Sequence, residues 1–180
     1  MEEARITGGK KMNAAQVIES FKKEFPGIEI SAVEQGAGKH KKTQAWATVA
    51  VKDFKNAVKH LFSLQEYPHF SVSSGSDSGK EIEIINHFVL NYGERNAQVP
   101  VHIKVRLQKE NPVMDSITDL FPGAIISEQE KMEMLGIKIS GVPKKRVFTD
   151  ESMPAGIYPW RKDEKGPEKI ARNIHEGGKK

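Results

Sequence analysis

The chain has 180 residues, 37% hydrophobic and 29% charged, with a formal net charge of +4 and no cysteine. The hydrophobic share is below the about 45–50% of ordinary globular chains, a range that also counts glycine, and a compact core is expected over roughly the middle two-thirds, as one domain or a domain with an appendage. The missing cysteines exclude disulfides, thiolate nucleophiles and iron–sulfur ligation by this chain, and no apolar run reaches the about 20 residues of a membrane helix, which predicts a soluble intracellular protein.

Residues 1–11 are polar with a Gly-Gly pair and read as a disordered N-terminus. Asn13 and Gln16 are spaced as a capping box, and Ala14, Val17, Ile18, Phe21 and Phe25 follow at helical spacing until Pro26-Gly27. Ile28–Val33 and Thr43–Val51 alternate as strands around a glycine-containing turn. Asp53 is positioned to cap a second helix, whose stripe is Phe54, Ala57, Val58, Leu61 and Phe62. Tyr67-Pro68 ends that helix. A short strand His69–Ser73, a loop or hairpin tip SSGSDSG, a long strand Glu81–Tyr92 and a strand Val99–Leu107 complete the series. Pro100 places the start of the last at a strand end or a sheet edge.

The order α-β-β-α-β-β-β over residues 13–108 predicts an α+β fold: a two-layer sandwich in which two helices cover a mostly antiparallel or mixed sheet. Beyond it the pattern changes. Asn111-Pro112 is predicted to open a short helix with Val113, Met114, Ile117 and Leu120 as its apolar positions, and Pro122-Gly123 to end it. Ser127 and Glu130 suggest a second capping box, and Gly136 a C-terminal stop. No period survives from Lys138 onward. The expected organisation is a disordered 1–11, an α+β domain 12–108, a short-helix docking segment 109–137 and an extended C-terminal arm 138–180, shaped by a neighbouring polypeptide.

The motifs carry little catalytic chemistry. Glu128, Glu130 and Glu133 can be helix-start acids or complements to a basic partner. Lys144-Lys145-Arg146 beside Val147-Phe148 reads as an arm anchor or as a solvated loop. Tyr158-Pro159-Trp160-Arg161 is read as an interface anchor, because nothing nearby has the period to bury it. The six histidines show no metal spacing, and His87 and His102, in adjacent predicted strands, read as having a core or cross-strand role. SSGSDSG lacks the ending and the helix of a phosphate loop. No serine has a triad partner, so a small hydrolase using Asp and His has no convergent pocket to support it. The basic clusters are too short and scattered for a nucleic-acid face, which leaves a small RNA-binding α+β module as the alternative from another class.

NPVMDSITDLFPGA at 111–124, EQEKMEMLGI at 128–137, the Gly141-x-Pro143 step with its basic-basic-apolar sequel, and YPWRKD at 158–163 together resemble the small hydrophilic 30 kDa-type subunit of respiratory complex I. The resemblance covers about a third of the chain. It implies a subunit that is non-catalytic and holds no cofactor, with iron–sulfur clusters and possibly nickel–iron in partner subunits. It also implies packing on a large subunit related to nickel–iron hydrogenases, with neighbouring iron–sulfur subunits nearby. Carried onto this sequence, the partner-facing set is Asn111, Pro112, Asp119, Pro122, Gly123, Glu128, Glu130, Glu133, Gly136 and Ile137. Along the arm it continues with Pro143, Lys145, Arg146, Pro159 and Arg161, and the aromatic anchor adds Tyr158. Gln129 stands where the family's acidic motif has its usual second residue, Val142 where it has histidine, and GIYPWRKD replaces its closing GHPLRKD. These departures lean from the NADH/quinone-type enzymes toward archaeal membrane-bound hydrogenase and sulfane-sulfur reductase, which are ferredoxin-linked and ion-translocating. The implied location is peripheral, on the cytoplasmic side of the cell membrane.

Overall fold

A computed structural model describes residues 11–37, 41–94, 96–149, 153–163 and 165–166. Most of the predicted N-terminus and the end of the arm lie outside the described residues. The elements are α1 (Ala14–Glu24), β1 (Glu29–Gln35), β2 (Lys42–Thr48), α2 (Phe54–Leu64), β3 (His69–Asp77), β4 (Glu81–Leu90), β5 (Val99–Gln108), β6 (Val113–Asp115), α3 (Ala124–Leu135) and β7 (Lys138–Ser140). The predicted order from α1 to β5 is the observed one. Its five strands form a mixed sheet in the order β1-β2-β5-β4-β3. β1 and β2 pair antiparallel, while β2 and β5 pair parallel from Ala45↔Val101 to Thr48↔Lys104. That parallel pair needs a long crossover, and α2, β3 and β4 supply it. Pro100 lies near the start of β5, a central strand, so of the two expected places for it the strand end is the one occupied.

The chain divides into two compact units. The first runs through Val72 and includes Ile85–Val105. In it the Asn13 side chain accepts from the Gln16 N–H at 3.0 Å and the Gln16 side chain accepts from the Asn13 N–H at 2.9 Å, which fixes the start of α1. Gly27, at φ +88°, permits the turn that ends it. Ala14, Val17 and Phe21 are buried along α1; Phe54, Ala57, Val58 and Leu61 are buried along α2. They meet the inward residues of the sheet, among them Ala45, Ala47, Phe88, Val101 and Ile103. Each fully buried large aliphatic or aromatic side chain contributes about 1.5–3 kcal/mol. Asp53 stands at the N-cap of α2 but makes no capping hydrogen bond, and Phe62 is exposed at 37%.

The second unit comprises Ser73–Ile84 and the chain from Arg106 onward. Here three expectations give way. The stretch read as a loop after Ser73 continues β3 to Asp77, because Ser73 and Asp77 are buried and only Ser78–Lys80 turn. The helix expected from Pro112 is instead strand β6, which pairs parallel with β7 through Val113↔Lys138, Met114↔Ile139 and Asp115↔Ser140. Met114 and Ile139 are buried between exposed neighbours, the period of a strand. The next helix starts at Ala124, before Ser127, so Ser127 and Glu130 are interior positions and no capping box forms. Gly136 does end α3, in the left-handed conformation at φ +71°.

Candidate partner-docking segment

Glu128 organises the SITDLFPG stretch from inside. It is 3% exposed, and its two oxygens accept from the Ser116 hydroxyl at 2.7 Å and the Ile117 N–H at 2.8 Å. The Ser116 oxygen also accepts from the Thr118 N–H at 3.0 Å. The turn then closes on itself: the N–H groups of Leu120 and Phe121 both reach the Ile117 carbonyl. Glu128 therefore shapes the segment, and its carboxylate is not presented outward.

Glu133 holds the arm. Its carboxylate accepts from the backbone N–H groups of Val147, Phe148 and Thr149 and from the Thr149 hydroxyl. Burial acts to raise its pKa, but these four donors outweigh burial and bring it below the usual carboxylate value.

Arg161 is the largest departure from the predicted outward anchor. Its side chain is 3% exposed and forks onto Asp163, with Nε 3.0 Å from Oδ2 and Nη2 2.5 Å from the same oxygen. Nη1 lies 3.5 Å from the Leu135 carbonyl. Asp77, fully buried at the end of β3, accepts from Lys109 Nζ at 2.6 Å, the Lys162 N–H at 2.8 Å and the Gly79 N–H at 2.8 Å. The Arg161 hydrogen bond, above all, holds Asp163 down to about 2 against the opposing effect of burial. For Asp77, by contrast, burial is the largest influence and raises it, yet its donors, led by Lys109, leave it below its ordinary value.

The aromatic knot folds back with Arg161. The Trp160 N–H reaches the Met134 carbonyl at 2.9 Å, and the indole roofs the buried Lys131 at 5.4 Å from its centroid. Lys131 is also paired with Glu130. The Tyr158 ring lies over Gly136, where a Cβ would collide with it. Part of the arm thus takes its shape from α3 and β3 of its own chain. Asp77, Lys109 and Asp163 are the partners that do this, and Asp77 lies in the stretch whose sequence pattern reads as a loop.

The other predicted residues fall into two groups. Pro112 and Ile137 are buried; Pro159 is half-buried. Asn111, Asp119, Pro122, Gly123, Pro143, Lys145 and Arg146 are exposed. Beside them Val147, Phe148 and Trp160 keep 45%, 46% and 40% of their surface in solvent. Glu133, Gly136, Ile137, Pro143, Lys145, Arg146 and Tyr158 line one cleft of about 370 Å³, together with Lys138 and Lys144.

In the first unit His87 and His102 do form the expected cross-strand pair, Nδ1 to Nδ1 at 2.7 Å. Gln44 Oε1 accepts from Trp46 Nε1 at 3.2 Å and stands 3.0 Å from His102 Nε2. A neutral His102 therefore carries its proton on Nε2 and accepts from His87. Burial first, then the adjacent His87, push His102 down to about 4. Among the described residues no group of three or more His, Asp or Glu side chains could hold a metal ion, and no helix is long and apolar enough to cross a membrane.

A two-helix α+β sandwich followed by a buried-acid turn and a returning arm defines a module of the complex I type. Residues 47–169 match the family described as respiratory-chain NADH dehydrogenase, 30 Kd subunit, and the chain belongs to that family. Membrane-bound hydrogenase subunit beta of Pyrococcus furiosus is 34% identical over 162 residues, 89% of this chain and 91% of that one. Formate hydrogenlyase subunit 5 of Escherichia coli is 27% identical over 143 residues, 77% of this chain but only 24% of that longer protein. In the structure of the membrane-bound sulfane sulfur reductase, an archaeal respiratory membrane complex, one chain shares the fold at a TM-score of 0.60 and 18% identity, covering 92% of this chain and 97% of that one.

Proposed function

We propose that this chain is a non-catalytic peripheral-arm subunit of a ferredoxin-linked, ion-translocating respiratory complex of the membrane-bound hydrogenase or sulfane-sulfur reductase type. Its place is on the cytoplasmic side of the cell membrane, docked on the nickel–iron-hydrogenase-like large subunit and clamping it with the exposed part of the arm. The observation that carries this reading is the near full-length likeness to a membrane-bound hydrogenase subunit. The Escherichia coli relative supports it: there the matched stretch is about a quarter of one chain, so this module has a covalent neighbour. A fused neighbour in one protein is a docked neighbour in another.

The mechanism is positional. The inward set, with Glu128, Ile137 and Arg161 buried and Glu133 and Gly136 half-buried, gives the segment its shape. The exposed set, Asn111, Asp119, Pro122, Gly123, Pro143, Lys145 and Arg146, with Val147 and Phe148, offers surface to the large subunit. Iron–sulfur clusters, and nickel–iron where present, belong to the partners, and the membrane is reached through them. The family's own description favours a second reading, the 30 kDa-type subunit of an NADH/quinone-type complex I.

The test is isolation of membranes carrying a tagged copy of this chain. A large subunit related to nickel–iron hydrogenases co-purifies, and the double variant Val147→Asp, Phe148→Asp reduces its recovery without changing the circular dichroism of the free chain. Recovery of the tagged chain without any large subunit overturns the reading. Oxidation of reduced ferredoxin rather than NADH by the isolated complex separates the two readings.

A further inference from the structure

We propose that the cleft between the end of α3 and the returning arm takes an extended, carboxylate-rich segment of the neighbouring subunit, an inference that rests on the docking reading above. Four of the residues lining this cleft are cations: Lys138, Lys144, Lys145 and Arg146. Among the described lining residues the single acid, Glu133, is already held by three backbone N–H groups and a hydroxyl of the arm. Lys144 and Lys145 are exposed, and no described carboxylate lies within ion-pair distance of either. Lys144 and Lys145 therefore place positive charge at the cleft that can meet an acidic partner.

The cleft is not a plain anion site. Met132, Ile137 and Tyr158 add apolar and aromatic surface beside the cations. The arm continues from Arg146 into Val147 and Phe148, both nearly half exposed. A small anion would leave that apolar surface wet. An extended polypeptide, whose side chains alternate between two sides, can present carboxylates to the lysines and apolar groups to Met132, Ile137 and Tyr158. The lysines steer and register such a segment, and the apolar contacts slow its release.

The experiment uses the complex isolated through a tagged copy of this chain, with a photoreactive side chain placed at position 144. The expected product joins this chain to a peptide of the neighbouring subunit that carries several Asp or Glu residues. A cross-link to a neutral or basic peptide of that subunit overturns the inference and leaves the docking reading standing. A cross-link within this chain, or none despite co-purification, removes the cleft from the interface and also overturns the inference. Failure of any large subunit to co-purify overturns the docking reading itself. In parallel, the double variant Lys144→Glu, Lys145→Glu weakens retention in the complex about tenfold at moderate salt, the scale of two exposed ion pairs. Lys144→Arg with Lys145→Arg retains it. Equal retention by the charge-reversed and wild-type chains overturns the proposal.

Discussion

Helices α1 and α3 both bury one stripe at helical spacing, but the stripes differ in chemistry. In α1 the buried residues are Ala14, Val17 and Phe21. In α3 they include Ala124, Glu128, Lys131 and Leu135. Apolar burial is non-directional: it excludes water and leaves register to the fit of shapes. Buried charges stay only where donors and acceptors stand at fixed positions, so Glu128 and Lys131 hold particular neighbours, the SITDLFPG turn and the Trp160 indole. Both units bury apolar area, and the second adds buried charged pairs that fix its local register. On the docking role proposed above, the second kind of order is needed where the surface is presented.

The comparison predicts a ranked set of effects. Leu61→Ala, in the apolar stripe of α2, should cost about 2–5 kcal/mol in urea unfolding. A loss near zero would show that the first unit is not held by its core. Glu128→Gln keeps size and removes charge; it should cost about 1.5–3 kcal/mol, the range for hydrogen bonds to charged groups. Hydrogen exchange should place that loss in residues 116–121, and loss of protection in α1 instead would break the distinction. Asn86 Nδ2 is a buried polar atom without a partner in the first unit. Asn86→Leu should therefore stabilise by about 1 kcal/mol, measured by the same unfolding transition. Destabilisation would mean that this amide has a role the apolar core does not explain.

Acid titration resolves the contrast most finely. His102 is held neutral in the fold, near 4 against an ordinary 6.5. Between those values the unfolded chain binds the extra proton, so stability of the first unit falls as pH drops from about 6.5 toward 4. Asp163 is depressed from 3.8 to about 2, and Asp77 is also lowered. Their contribution is complete above the ordinary carboxylate value and is lost as pH falls from about 4 toward 2. Hydrogen exchange across this range should show the strands around His102 loosening before residues 158–163. The reverse order would contradict the assignment.

The sequence was legible where stability comes from apolar area. The capping box at Asn13, the stripes of α1 and α2, and the strand order through β5 all follow from the spacing of large apolar residues and from Pro26-Gly27. It was misleading where polar residues are buried. Glu128 and Lys131 look like surface, so the start of α3 was placed late and its first turn unseen. Ser73 and Asp77 look like a loop, yet complete β3. Val113 and Met114 look like a helical pair only while their parallel partner β7, far along the chain, is out of view. Gly136 was readable because a left-handed stop needs glycine whatever packs around it. Of the candidate site, motif resemblance names the residues, while where their side chains lie, buried for Glu128 and Arg161 and exposed for Lys145, depends on contacts distant in sequence.

The parallel pairing of Ala45 with Val101 has a consequence for biogenesis. During translation the β1–β2 hairpin leaves the ribosome early, but its inner flank stays unsatisfied until β5 has been made. Through that interval the nascent chain offers an open hydrogen-bonding edge with Ala45, Trp46 and Ala47 beside it. Closure across so long a stretch is slow, which makes this hairpin the place where a chaperone would be most useful and where truncated messages would yield the stickiest fragments.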